Sequence, residues 1–143
     1  MAMFQVALSE ESVASQIAGL LNTYNKLHRK HNAYSIIYGQ ADYFVETRGD
    51  LVLGCVGLVK TNSCCTRIKH LCVHENYRKL GLATKLLQLA IDSCDSKYVS
   101  MTVRDDNTNC LLLALKFGFK NAQTKQLIDY NLLTLGRYTR NVR

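Results

Sequence analysis

The chain has 143 residues, of which 18 are Lys or Arg and 11 are Asp or Glu, so its formal net charge at pH 7 is +7. This length predicts one domain, over residues 1–143, whose core folds without a metal or disulfide. No apolar run approaches the ~20 residues that cross a bilayer, and residues 1–10 lack the pattern of a signal peptide. We therefore expect a cytoplasmic protein without a membrane partner, whose positive charge binds a phosphorylated cofactor or nucleic acid.

The cysteines predict reduced thiols and no metal site. Most of them lie in apolar runs, where a thiol packs as a small hydrophobic group. No CxxC pair is present, and the two N-terminal histidines lie far from any cysteine in sequence. The six are Cys55, Cys64, Cys65, Cys72, Cys94 and Cys110.

The first half of the chain predicts a helix followed by an antiparallel meander. Apolar residues recur every three or four positions over residues 10–30, after the capping residue Ser9 and two acids that favour a helix N-terminus. A loop is predicted around 31–40. Runs rich in β-formers, separated by short turns, then indicate a hairpin and a third strand. The strands predicted are 3–8 (weakly alternating), Tyr43–Thr47, Leu51–Lys60 and Cys65–His74.

The second half alternates strands and helices. A helix begins near Gly81 and a strand follows at Tyr98–Val103. Asp106 or Asn107 then caps a helix that runs to Phe117, Gly118 ends it, and an extended segment starts at Phe119. Residues 126–136 are predicted as the last strand. A meander followed by alternating elements predicts a mixed α/β (α+β) fold with a parallel strand pair around the helix at 82–95.

The segment from Val73 to Thr84 has the composition of an anion site. A strand ends, the basic residues Arg78 and Lys79 follow, and Gly81 opens a helix. The unpaired N–H groups and positive dipole of a helix N-terminus bind phosphate, and small residues let it approach the backbone. The segment lacks the spacing of a Walker A loop and of a Rossmann fingerprint.

The pattern Arg-x-x-Gly-x-Ala at this strand-to-helix junction resembles the acetyl-CoA loop of the GCN5-related N-acetyltransferase (GNAT) family. Ile68–Val73 resembles the family's fourth strand, and Asn107 with Gly118-Phe119 resembles its N…GF element. The resemblance covers about residues 41–122. It implies a central, mostly antiparallel sheet in which one parallel strand pair splays apart to admit the cofactor.

The resemblance also implies an activity and a set of site residues. Acetyl-CoA would donate its acetyl group directly to a primary amine of a small molecule or a protein, without an acyl-enzyme and without a metal. The N–H of Leu71 would polarise the thioester carbonyl. The cofactor would be bound by Leu71, Cys72, Val73, Arg78, Lys79, Leu80, Gly81, Leu82, Ala83, Thr84 and Asn107.

Two departures from the family pattern leave the acid and base open. Ala114 occupies the position of the tyrosine that protonates the leaving thiolate in many relatives. Either Tyr130 or a water replaces it, or no acid is needed because a thiolate is already a fair leaving group. Some relatives carry a Glu or His on the fourth strand that deprotonates the amine, and the matching positions here are Arg67 and Lys69. Glu46 on the neighbouring strand, acting through water, is the substitute. If Arg67 and Lys69 face the acceptor groove, they disfavour a polycationic acceptor.

Two other functions remain as alternatives. Separately, a homodimer is compatible with the sequence. The missing tyrosine allows a catalytically silent, CoA-binding regulatory domain. The net charge and the C-terminal arginines allow a nucleic-acid-binding module, which is disfavoured because no recognition helix, RNA-binding aromatic motif or zinc knuckle is present. His70 and His74 are isolated in sequence, and three tyrosines (Tyr34, Tyr38 and Tyr43) are expected chiefly to pack.

Overall fold

A computed structural model describes residues 9–25 and 29–139, so the strand predicted at 3–8 lies outside the described residues. The helices are α1 (Glu10–Tyr24), α2 (Ala33–Ile37), α3 (Leu82–Ser93) and α4 (Thr108–Lys116), with a short 3-10 turn at Glu75–Tyr77. The strands are β1 (Asp42–Arg48), β2 (Leu51–Lys60), β3 (Cys65–Val73), β4 (Tyr98–Arg104), β5 (Lys120–Gln126) and β6 (Asn131–Tyr138).

The strands form one sheet in the order β1-β2-β3-β4-β6-β5. β3 and β4 run parallel, and the other neighbouring pairs are antiparallel. The parallel pair is connected through α3, as a parallel connection requires a crossover. The predicted mixed α/β fold, with its meander and its single parallel pair, is confirmed.

Helices cover the sheet on both faces and divide the core into two clusters. On one face, Leu86, Leu87, Ala90 and Ile91 of α3 and Ala114 of α4 pack on alternate strand residues. On the other, the apolar stripe of α1 packs with α2 over β1, β2 and β3. None of the described helices has the length and apolar composition to cross a membrane.

The N-terminal helix is shorter than predicted, and the predicted loop after it contains a helix. α1 ends at Tyr24 rather than residue 30, and the N–H of the extended residue Asn25 donates to the carbonyl of Leu21. Asn22 turns the chain back, because its side chain accepts a hydrogen bond from the N–H of His31 and donates one to the His31 carbonyl, both at 2.8 Å. α2 then starts with a capping box between Asn32 and Ser35.

The predicted last strand, 126–136, is also wrong at its start. The chain turns between β5 and β6, and the N–H of Leu127 donates to the carbonyl of Tyr130 at 2.9 Å. Asn131 begins β6, where its N–H donates to the side chain of Asp105 at 3.1 Å. The sequence did not predict this turn because Leu127 and Ile128 are apolar, as strand residues often are. In the structure Ile128 is fully exposed at the tip of the turn.

Candidate functional site

The parallel strands separate at one level of the sheet. β3 pairs with β4 from Cys65 opposite Tyr98 to Ile68 opposite Met101. Beyond this level β3 continues to Val73 and β4 to Arg104, but the parallel ladder has ended. The backbone edges of residues 69–73 and 102–104 therefore face a gap, as the resemblance implied for the strands that hold the pantetheine arm.

A β-bulge lies at the start of this gap. On β2, Cys55 pairs with Cys72 and Gly57 with Lys69, so two residues of β3, His70 and Leu71, lie opposite one residue of β2. His70 has a φ of 59°, a left-handed conformation that is strained for a residue with a side chain. The bulge leaves Leu71 outside the registers of both the β2 and the β4 ladders. No turn-forming residue in the sequence indicates this bulge, so the sequence did not predict the bulge conformation of His70.

Buried contacts hold the His70 side chain on the face of the sheet that α1 and α2 cover. The hydroxyl of Tyr43 lies 2.7 Å from His70 Nδ1, and the two rings are stacked. The His31 ring contacts His70 edge-on at 5.1 Å between centroids. Burial, then the charges of Lys69 and His31, lower the pKa of His70 to about 4. The imidazole is therefore neutral at pH 7.

Stability is expected to fall as the pH falls from 7 to 5. The unfolded chain binds a proton at His70 near pH 6.5 but the folded chain only near pH 4, so protonation between these values favours unfolding. The loss is about 1–2 kcal/mol, allowing for the partial exposure of the ring. His70→Asn, which tolerates a positive φ, should show a smaller loss in urea titrations at the two pH values. Equal losses in the two proteins would contradict the assignment.

Aromatic and cationic contacts shape the loop after β3. The imidazole of His74 accepts a hydrogen bond from the N–H of Asn76 at 3.1 Å and packs edge-on against Tyr24 and Tyr77. The Nε of Arg78 donates to the carbonyl of Val73 at 3.1 Å, and its guanidinium lies over the Tyr24 ring. His74 and Arg78 thus organise the loop, and the guanidinium of Arg78 is turned back towards β3.

The loop leads to the N-terminus of α3, which has no side-chain cap. Lys79 and Gly81 both have left-handed φ angles, of 66° and 80°. Gly81 is the N-cap of α3, makes no side-chain hydrogen bond, and has open space where a Cβ would stand. The loop side chains of Lys79, Leu80 and Thr84 are exposed. This geometry suits a pyrophosphate at the backbone of residues 78–84, because the first N–H groups of a helix have no partner within the helix.

The other residues that the sequence singled out lie in different parts of the fold. Asn107 caps α4, accepting a hydrogen bond from the N–H of Cys110 at 3.3 Å. Cys72 is buried, donates to the carbonyl of Leu20 at 3.6 Å, and its pKa is raised to about 11 by burial. Tyr34 and Tyr38 contact each other on the exposed side of α2, whereas Tyr43 is buried.

The two candidate catalytic side chains lie on opposite sides of the β3–β4 gap. Glu46, on the edge strand β1, forms an ion pair with Lys85 of α3 at 3.0 Å. Tyr130 precedes β6, and the guanidinium of Arg104 lies 3.5 Å from its ring centroid. Ala114 is fully buried in the core. Tyr130 therefore lies beside the end of β4 that separates from β3, and Glu46 is bound to α3 through Lys85.

Comparison with known proteins places these features in a family. Residues 4–119 match the family model described as "Acetyltransferase (GNAT) family". No curated protein sequence matches the chain.

Several solved structures share the fold. A protein from Streptococcus mutans UA159, smu.2055, has a TM-score of 0.79 at 18% identity, with 90% of this chain and 95% of that chain covered. An N-acetyltransferase from Staphylococcus aureus Mu50 has a TM-score of 0.75 at 16% identity, covering 92% and 96%. The yncA protein of Salmonella typhimurium, solved with its cofactor acetyl-CoA, has a TM-score of 0.69 at 15% identity, covering 92% and 89%.

Proposed function

Because the chain belongs to the acetyltransferase (GNAT) family, we propose that it transfers the acetyl group of acetyl-CoA to a primary amine in the cytoplasm. One observation carries this proposal: the β3–β4 gap leads directly into the loop at the uncapped N-terminus of α3. A long ligand with a pyrophosphate at one end and a thioester at the other fits that arrangement. The acetyl-CoA complex of the Salmonella typhimurium relative is consistent with it.

The proposed binding mode uses mainly backbone groups. The pyrophosphate would lie against residues 78–84, where Gly81 and Ala83 permit close approach. The pantetheine arm would pair with the open edge of β3 at Leu71, Cys72 and Val73. Asn107, at the start of the helix after β4, would contact the arm or fix the end of that strand.

The proposed reaction needs few side chains. The neutral amine attacks the thioester carbonyl, a C–N bond forms, the C–S bond breaks, and the amine proton passes to solvent. The N–H of Leu71, which lies outside the registers of both neighbouring ladders, would stabilise the oxyanion. Neutral His70 accepts or donates a hydrogen bond beside this position, but its low pKa makes it a weak base.

The proton for the departing CoA thiolate has a candidate donor in Tyr130. Its ring lies beside the splayed end of β4, whereas Ala114 has no proton to give. Tyr130→Phe with an unchanged kcat would exclude this role and leave water as the donor. The ion pair with Lys85 supports a role for Glu46 in holding α3 against β1. We therefore do not propose Glu46 as the general base.

Acetyl-CoA is expected to stabilise the protein and to acetylate an amine. Ligand at 100 times its dissociation constant raises the free energy of unfolding by about 2.7 kcal/mol, a readily measured shift in melting temperature. Mass spectrometry of an amine panel then detects the product. A shift without any acetylated product would favour a silent CoA-binding domain. A chain that neither acetyl-CoA nor CoA stabilises would contradict the proposal.

A further inference from the structure

On the sheet face opposite α3, β4 and positions 67 and 69 of β3 carry polar and cationic side chains. Side chains alternate between the faces of a strand. The residues of β4 that pack in the α3 core are Val99, Met101 and Val103, so Ser100, Thr102 and Arg104 point to the other face. Ile68 packs in the same core, so its neighbours Arg67 and Lys69 also point away from α3. An acceptor that approaches the gap from this face meets these groups.

The cations on β3 have basic neighbours. Lys69 is partly buried, and its pKa is lowered first by burial and then by the charge of Arg67. The charge of Lys69 in turn lowers the pKa of His31 and of His70. All the charged groups that shift these three pKa values are basic. Partial burial and the neighbouring charge of Arg67 therefore disfavour the positive charge of Lys69.

The acidic side chains are placed elsewhere. All 11 belong to described residues, and none lies on β3 or β4. Asp105, which follows β4 directly, accepts a hydrogen bond from the N–H of Asn131, and Asp106 accepts two from the guanidinium of Arg104. Glu46 pairs with Lys85 of α3, and Asp95, which follows α3, pairs with Lys60 of β2. Within residues 9–25 and 29–139, neither Arg67 nor Lys69 forms an ion pair with an acidic side chain.

We infer that the acceptor is a small primary amine that also carries a carboxylate or phosphate, and that Lys69 and Arg67 bind this anionic group. The inference rests on the proposed acetyl transfer. Lys69 lies two residues before Leu71, roughly 7 Å along the strand, so the anionic group and the reacting amine are close together. A small molecule that bears both groups meets this spacing, whereas a polyamine places a second cation there.

The same positive charge helps the chemical step. A nearby cation lowers the pKa of an amine, because it disfavours the protonated form. The acceptor therefore loses its proton to solvent more readily, although no carboxylate base lies on β3. Arg67 and Lys69 carry two positive charges, so a bound carboxylate neutralises one of them and leaves the other to act on the amine.

The test compares matched acceptors in initial-rate assays. Amino acids are compared with their amides, and phosphoethanolamine is compared with ethanolamine. A peptide that has an acidic N-terminal segment is compared with a neutral peptide. Spermidine is compared with all of these acceptors. We expect kcat/KM for one of the small anionic acceptors to exceed that of its neutral partner at least tenfold. The first two comparisons distinguish carboxylate from phosphate. Equal rates within both pairs, a preference for spermidine, or acceptance of the acidic peptide alone would overturn the inference.

Variants test the residues assigned. In Lys69→Gln and Arg67→Gln, the ratio of kcat/KM for the anionic acceptor to that for its neutral partner should fall about tenfold, and Lys69→Arg should retain it. Lys120→Gln, an exposed cation on β5, should leave the ratio unchanged. Arg67 is exposed, so its variant keeps the test valid if Lys69→Gln fails to fold.

The two proposals fail in different ways. If acetyl-CoA binds and neutral amines are acetylated as well as anionic ones, only the acceptor assignment is wrong. If acetyl-CoA does not bind, the proposed transfer is wrong and the acceptor assignment falls with it.

Discussion

A Gly81→Val variant is expected to lose most of the stabilisation that acetyl-CoA gives the wild-type chain. Gly81 caps α3 with φ of 80°, and its missing Cβ leaves the helix N-terminus open. A branched side chain strains this conformation and stands where the pyrophosphate would approach the backbone. A hundredfold loss of affinity lowers a stabilisation of about 2.7 kcal/mol to about 0.4 kcal/mol at the same ligand concentration. Thermal melts with and without acetyl-CoA measure the difference.

Gly49→Val is the matched control. Gly49 also has a positive φ, of 59°, and open space at its missing Cβ, but it lies in the turn between β1 and β2. Both variants should unfold at a lower temperature without ligand, because both strain a left-handed residue. Only Gly49→Val should keep the wild-type response to acetyl-CoA. If both variants keep it, the loop at residues 78–84 does not bind the cofactor.

Gly54→Ala is expected to destabilise the fold by about 2 kcal/mol, through overpacking at the centre of the sheet. A Cβ at residue 54 would stand 2.9 Å from the carbonyl oxygen of Cys72 and 3.1 Å from Leu86 Cδ1. A backbone atom of β3 cannot move aside as the end of a side chain can. For a chain of this size the melting temperature should fall by about 4–8 °C.

The same substitution at Gly19 should have the opposite sign. Gly19 is exposed in the middle of α1, and nothing lies within 4 Å of its missing Cβ. Gly19→Ala should therefore raise the free energy of unfolding by about 0.5–1 kcal/mol. Equal effects at residues 19 and 54 would show that β2 and β3 do not pack as closely as described.

The loop at residues 78–84, which we propose binds acetyl-CoA, was predictable because its signal is local. Basic residues, a glycine and small residues follow one another between a strand and a helix, and the structure places Gly81 in the left-handed conformation that only glycine adopts readily. Asn107 likewise caps α4 within three residues of its partner. The hairpin turn at Leu127–Tyr130 and the early end of α1 were not predictable in this way, since the contacts of Asn131 and Asn22 involve residues distant in sequence.

The sequence alone determined the order and type of most elements, the mixed α/β class, the resemblance to acetyltransferases and the position of the glycine-containing loop before α3. Each depends on periodicity or on neighbours within a few residues. Only the tertiary structure decided where β3 leaves β4, that His70 adopts a strained bulge conformation beside Tyr43, and that Lys69 has basic groups around it. These features arise from contacts between separate strands and helices, and side-chain types along one strand do not encode which charges meet across a sheet.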